Sequence, residues 1–167
     1  MVGPSVPRRG RTVLGGVVAV ALLAGCVDPP GPTPCTPVAF DTAAVNGDTI
    51  TTTTGLRFVE GTPGAGDTIL VSCHAAIVHY TAYLLDGTKF DSSHDTDTPL
   101  VFTPGGGLLI DGFEQGVIGM RIGGTRRLII PPDLGYGTEP VRDANGTIII
   151  PANSTLVFDV ELLGIVP

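Results

Sequence analysis

The sequence predicts an α+β domain, a curved antiparallel β-sheet wrapped around one short α-helix. Three observations lead there. Glycine and proline are abundant, with 24 and 15 copies in 167 residues, which suits short strands and turns and not a helical bundle. Several short stretches carry β-branched and aromatic residues in alternation. One stretch alone has helical spacing: Phe113, Val117 and Met120 fall on one face, and Gly119, Gly123 and Gly124 end it.

The elements follow in order from residue 55. Leu56 to Glu60 reads as a strand, and Gly61 to Asp67 as a glycine-rich turn. Thr68 to Leu85 reads as one long or interrupted strand, closed by Asp86-Gly87, a strong hairpin signal. Leu100 to Thr103 and Thr125 to Ile130 read as short strands. Asp111 and Glu114 have the spacing of a capping box, with Asp111 accepting from the backbone and Glu114 reaching back. Residues 154 to 163 give the clearest alternation, with Leu156, Phe158, Val160 and Leu162 on one face and Asp159 and Glu161 on the other.

Residues 1–25 are read as a signal peptide. Arg8, Arg9 and Arg11 precede an apolar run from Val13 to Ala24. Leu23-Ala24-Gly25-Cys26 resembles a bacterial lipobox, which implies cleavage before Cys26, acylation of that cysteine and a membrane-anchored protein of the cell envelope. The alternative is an uncut anchor with a chance cysteine. Residues 26–54 form a proline- and threonine-rich linker arm, irregular apart from a short edge strand, and 55–167 the folded domain. In an exported protein Cys35 and Cys73 can pair as a disulfide or remain two thiols.

Charge limits the partners. The chain carries −7 overall. Three of its nine basic residues lie in the leader and all 16 acidic ones follow Cys26, so the mature chain is near −10. Nucleic acid is excluded as a partner, because neutralising phosphates needs a basic patch. Ordinary catalytic sets are missing too. His74, His79 and His94 have no metal-ligand spacing, and His94 with Asp95 and Asp97 reads as a solvated loop, so no metal and no cofactor is expected. No Gly-x-Ser-x-Gly elbow occurs. Any activity must then come from a pocket that works by shape and solvation.

Five blocks carry a resemblance. They are Val78-His79-Tyr80-Thr81, Leu85 to Ser93, Gly112 to Val117 with Met120, Pro132 to Gly137, and Ile150 to Leu162. In this order, over about residues 55–166, the chain resembles the FKBP-type peptidyl-prolyl cis-trans isomerases. The resemblance implies a catalytic pocket of Tyr80, Phe90, Asp91, Phe113, Tyr136 and Phe158, with Leu100, Phe102, Leu109, Ile110, Ile149 and Ile150 contacting substrate. It places a backbone donor for the ligand carbonyl at Ile150, with the Tyr136 hydroxyl nearby. It implies a monomer that takes proline-containing polypeptide clients and macrolide ligands. The chain differs from the family's usual pattern at Leu100, often aromatic, at Phe113, commonly tryptophan, and at Thr96, often basic. The stretch from Tyr136 to Ile150 is longer than usual, so the flap over the pocket carries Glu139, Arg142 and Asp143. A non-catalytic chaperone or peptide-binding module on the same fold is the other reading.

Overall fold

A computed structural model describes residues 42–46, 48–65 and 70–166, the backbone alone for 42–46. These residues belong to one unit, Pro34–Pro167. The expected leader, spacer, Cys26 and Cys35 lie outside the described residues.

The strands are β1 (Thr42–Asn46), β2 (Thr49–Thr52), β3 (Arg57–Glu60), β4 (Ala75–Leu84), β5 (Lys89–Ser92) and β6 (Leu100–Phe102). Then come the helix α1 (Asp111–Val117) and the strands β7 (Thr125–Ile130), β8 (Val141–Arg142), β9 (Ile148–Ile150) and β10 (Leu156–Val166). The main sheet has the order β1-β2-β3-β7-β10-β4-β5, with β6 also on β4, and β8 and β9 form a separate two-stranded hairpin. All pairings among the described strands are antiparallel. The fold is therefore the expected antiparallel sheet with one short helix.

β10 is an inner strand of the sheet, and its alternation is the clearest. Leu156, Phe158, Val160 and Leu162 are all buried, and β10 pairs with β4 on one side and β7 on the other. The opposite face mixes Val157 and Leu163 with two carboxylates: Asp159 takes a bidentate pair of hydrogen bonds from Arg127, at 2.6 and 2.7 Å, and Glu161 is exposed. β4 and β5 join where Asp86-Gly87 predicted. Gly87 sits at φ 90°, and its N–H donates to Leu84 C=O at 3.0 Å.

The helix packs on the inner face through two glycines. A Cβ on Gly112 would run into the branched side chain of Ile130, and one on Gly116 would stand 2.5 Å from Leu128 Cδ1. Both glycines, one helical turn apart, let α1 lie directly against β7. Phe113, Val117 and Met120 are buried as the spacing predicted.

Three elements differ from expectation. The arm before residue 55 is more regular than expected: β1 and β2 form a hairpin that extends the sheet beyond β3. The threonines of β2 supply β-branched side chains that suit a strand. The strand read from Thr68 begins only at Ala75, because Leu70 is tied to the helix end instead, its N–H to Met120 C=O at 2.9 Å and its C=O to Gly119 N–H at 3.0 Å. The capping box does not form. The N-cap is Ile110, without a side-chain cap, and Asp111 is already the first helical residue. Glu114 turns elsewhere, as described below.

Candidate functional site

The Tyr80 corner is built by β4 and β5. Ser92 and Ser93, both buried, bind the Tyr80 backbone: Ser93 Oγ accepts the Tyr80 N–H at 2.8 Å, and Ser92 Oγ donates to the Tyr80 C=O at 3.0 Å. This holds Asp91 opposite Tyr80. Asp91 Oδ2 accepts the Tyr80 hydroxyl at 2.6 Å, and Oδ1 accepts the Ser92 N–H at 2.8 Å. Burial, then the hydrogen bond and charge of Asp91, push the Tyr80 hydroxyl well above its ordinary range, so it stays a donor.

Aromatic rings form the interior. Phe113 from the helix meets Phe158 of β10 edge-on at 5.1 Å, and Tyr80 at 5.8 Å. Phe90 meets Phe158 edge-on at 6.0 Å. Edge-to-face packing at these separations is the favoured geometry of aromatic pairs. The rings enclose one side of a cavity of about 290 Å³ lined by Tyr80, Phe90, Asp91, Leu100, Leu108, Leu109, Ile110, Phe113, Tyr136 and Phe158. Its walls are mostly apolar, with one carboxylate and two phenols.

Two polar groups at this cavity are uncommitted among the described residues. Tyr136 makes no hydrogen bond through its hydroxyl, and burial, then the Asp91 charge, raise its pKa. The Ile110 N–H also has no acceptor there, although the Ile110 C=O accepts from Phe113 and Glu114.

A family model described as "FKBP-type peptidyl-prolyl cis-trans isomerase" matches residues 62–163, more than half of the chain. The chain belongs to this family. It is 54% identical over 88 residues to FK506-binding protein 2 of Dictyostelium discoideum, covering 53% of this chain and 62% of that one. It is 46% identical over 109 residues to the peptidyl-prolyl cis-trans isomerase Fkbp12 of Drosophila melanogaster, covering 65% and 96%. Among solved structures, FkpA of Escherichia coli matches with TM-score 0.61 and 37% identity over 73% of this chain and 53% of that one. AtFKBP13 matches with TM-score 0.63 and 33% identity over 76% and 98%. The chain thus spans only part of several relatives, 62% of the Dictyostelium protein and 41% of FK506-binding protein 2B of Rhizopus delemar.

The FKBP pocket gathers nine of the residues named from sequence: Tyr80, Phe90, Asp91, Leu100, Leu109, Ile110, Phe113, Tyr136 and Phe158. Three others stand outside its lining. Phe102 is buried behind Phe113, ring centroids 5.6 Å apart, and supports the wall from the core. Ile150 is also buried in the core, in register with Val141 of the β8–β9 flap, while Ile149 is exposed on that flap. Ile150, where a donor was expected, does not line the cavity, and an uncommitted N–H at the cavity belongs to Ile110, just before the helix.

Sequence reasoning missed Leu108, which lines the pocket mouth at 78% exposure. An apolar residue next to Gly107 in a glycine-rich loop was the available signal. Cys73, two residues before β4, is disulfide-bonded. A larger hollow of about 540 Å³ lies on the sheet face away from the helix, between His79, His94, Arg127, Asp159 and Glu161. Several of its groups are already engaged: Arg127 pairs with Asp159, His79 Nδ1 is hydrogen-bonded to Ser93 Oγ at 2.9 Å, and His94 stacks on His79 at 4.4 Å.

Proposed function

We propose that this chain is a peptidyl-prolyl cis-trans isomerase, anchored through acylated Cys26 to a bacterial envelope membrane and acting on exported polypeptides. The observation that carries the activity is the apolar cavity with two uncommitted donors, the Ile110 N–H and the Tyr136 hydroxyl.

The reaction breaks no bond. Amide resonance sets a barrier of about 18–20 kcal/mol, and twisting the C–N bond abolishes that resonance and the charge separation it brings. An apolar pocket therefore binds the twisted amide better than the planar one, which would give up more hydration on entry. The proline ring fits among Phe90, Phe113 and Phe158. The Ile110 N–H takes the carbonyl that follows the proline ring, so the peptide is anchored at a bond that does not turn while the X–Pro bond rotates. Asp91, fixed by Tyr80 and Ser92, sets a polar edge to an otherwise apolar site. Nothing in this sequence of events requires a cofactor.

FK506-like macrolides are proposed as competing ligands, in keeping with the names of the relatives. Acyl chains on Cys26 supply the membrane affinity that an acidic chain lacks. Cys35 is the proposed partner of Cys73, Cys26 being used for lipid. A protease-free isomerisation assay with a proline peptide on the leaderless protein tests the activity, and absence of acceleration would overturn it. Mass spectrometry of the membrane fraction should find Cys26 acylated, and an intact leader there would refute the anchor.

A peptide-binding module without turnover is the second reading, favoured by the exposed Leu108 at the mouth. It predicts suppression of aggregation of unfolded protein with no acceleration of the peptide.

A further inference from the structure

The glycine-rich run before the helix has little regular structure of its own, yet it carries three residues of the pocket: Leu108, Leu109 and Ile110. What holds it is one side chain. Glu114 is buried, and its carboxylate accepts four backbone N–H groups of this run. Oε2 takes those of Gly105 at 2.7 Å and Gly107 at 3.2 Å, and Oε1 takes those of Leu108 and Leu109, both at 3.0 Å. Gly105 and Gly107 stand at φ 86° and 67°, the left-handed region, which lets N–H groups so close in sequence converge on one anion. The main chain of Glu114 adds a fifth tie, its own N–H donating to Ile110 C=O at 3.2 Å.

The consequence lies at Ile110. Three consecutive N–H groups, of Gly107, Leu108 and Leu109, point at Glu114, and the next one along the chain is the uncommitted donor. Glu114 thus grips the peptide on both sides of Ile110 without touching the cavity.

We infer that Glu114 is the positioning residue of the isomerase site, orienting the Ile110 N–H and the Leu108–Leu109 wall through its carboxylate. This rests on the isomerase reading of the pocket.

The test compares Glu114→Gln and Glu114→Ala with Leu162→Ala, a core change away from the pocket. Kinetics on a proline peptide are read beside thermal unfolding and amide hydrogen exchange at residues 105–110. Glutamine keeps the shape but turns an NH2 toward two of the four donors, so exchange should rise in this run while the fold persists. Turnover should fall about threefold to tenfold, the range for misaligning one hydrogen bond, with KM nearly unchanged. Leu162→Ala should lose thermal stability and keep wild-type turnover. Wild-type turnover in either Glu114 variant would overturn the role. So would a Glu114→Gln loss matched by Leu162→Ala at equal loss of stability. An inactive wild-type protein would instead sink the isomerase reading and this role with it; an active wild type with unaffected variants sinks the role alone.

Discussion

Phe113 and Phe158 meet edge-on at 5.1 Å with their planes at 69°, and this contact joins the helix to β10 at the interior wall of the pocket. Phe113 also touches Tyr80 and Phe102, so one ring ties together three strands and the helix.

Phe113→Ala should therefore cost stability and activity together. The ring is 3% exposed, and removing a buried phenylalanine costs about 3–5 kcal/mol. Phe90, only partly buried, should cost less on replacement by alanine. Thermal unfolding of both variants checks the order; a Phe90→Ala more damaging than Phe113→Ala would contradict it.

Tyr136→Phe should separate the two properties. The hydroxyl bonds to nothing among the described residues, so unfolding should be unchanged. Turnover should fall by the worth of one hydrogen bond, about 0.5–1.5 kcal/mol. Full activity in this variant would remove Tyr136 from the mechanism.

Gly112→Ala tests the helix seat. Alanine gains up to about 1 kcal/mol in helix propensity. Overpacking against Ile130 costs about 1–3 kcal/mol, and the atoms met include Ile130 Cβ, which no rotamer change can move aside. A net destabilisation is expected in chemical denaturation, and a stabilised variant would show that α1 does not sit this close to β7.

Acid should loosen the run 105–109. Burial raises the Glu114 pKa, but four backbone donors outweigh it and hold the carboxyl below its ordinary value of 4.5. A folded-state value below the unfolded one means the stabilisation is complete above about pH 4.5 and disappears as pH falls through the depressed value. Melting temperature against pH should fall more steeply below 4.5 for the wild type than for Glu114→Gln, which does not titrate there. Parallel curves would disprove the linkage.

Reduction should act through Cys73. Opening its disulfide should destabilise the domain by about 2–4 kcal/mol. Peptide mapping of the oxidised protein should recover Cys35 with Cys73, and free alkylation of Cys35 would exclude that pairing.

The strands that bury one sheet face were legible in the sequence because that burial writes itself as alternation, whereas the short β5, β8 and β9 were not read from it. Leu156, Phe158, Val160 and Leu162 announce β10, which runs three residues further than 154–163, and Thr125 to Ile130 announces β7 at the bounds the structure gives. The helix was legible by the same logic at a different period. The side chains of the pocket were reached through motif order, since an aromatic residue in a strand looks the same whether it faces a core or a cavity. What only tertiary structure decided are matters of direction across long separations. Gly112 and Gly116 read as helix weakeners until Ile130 and Leu128 are seen against them. Glu114 has the spacing of a cap, yet a run of bent backbone offers it four donors where the N-cap would offer one, and the larger set wins. That the uncommitted N–H at the cavity is the one of Ile110 was hidden likewise. A backbone group leaves no mark in the sequence, and whether it is spent or free depends on what every neighbouring group has already bonded.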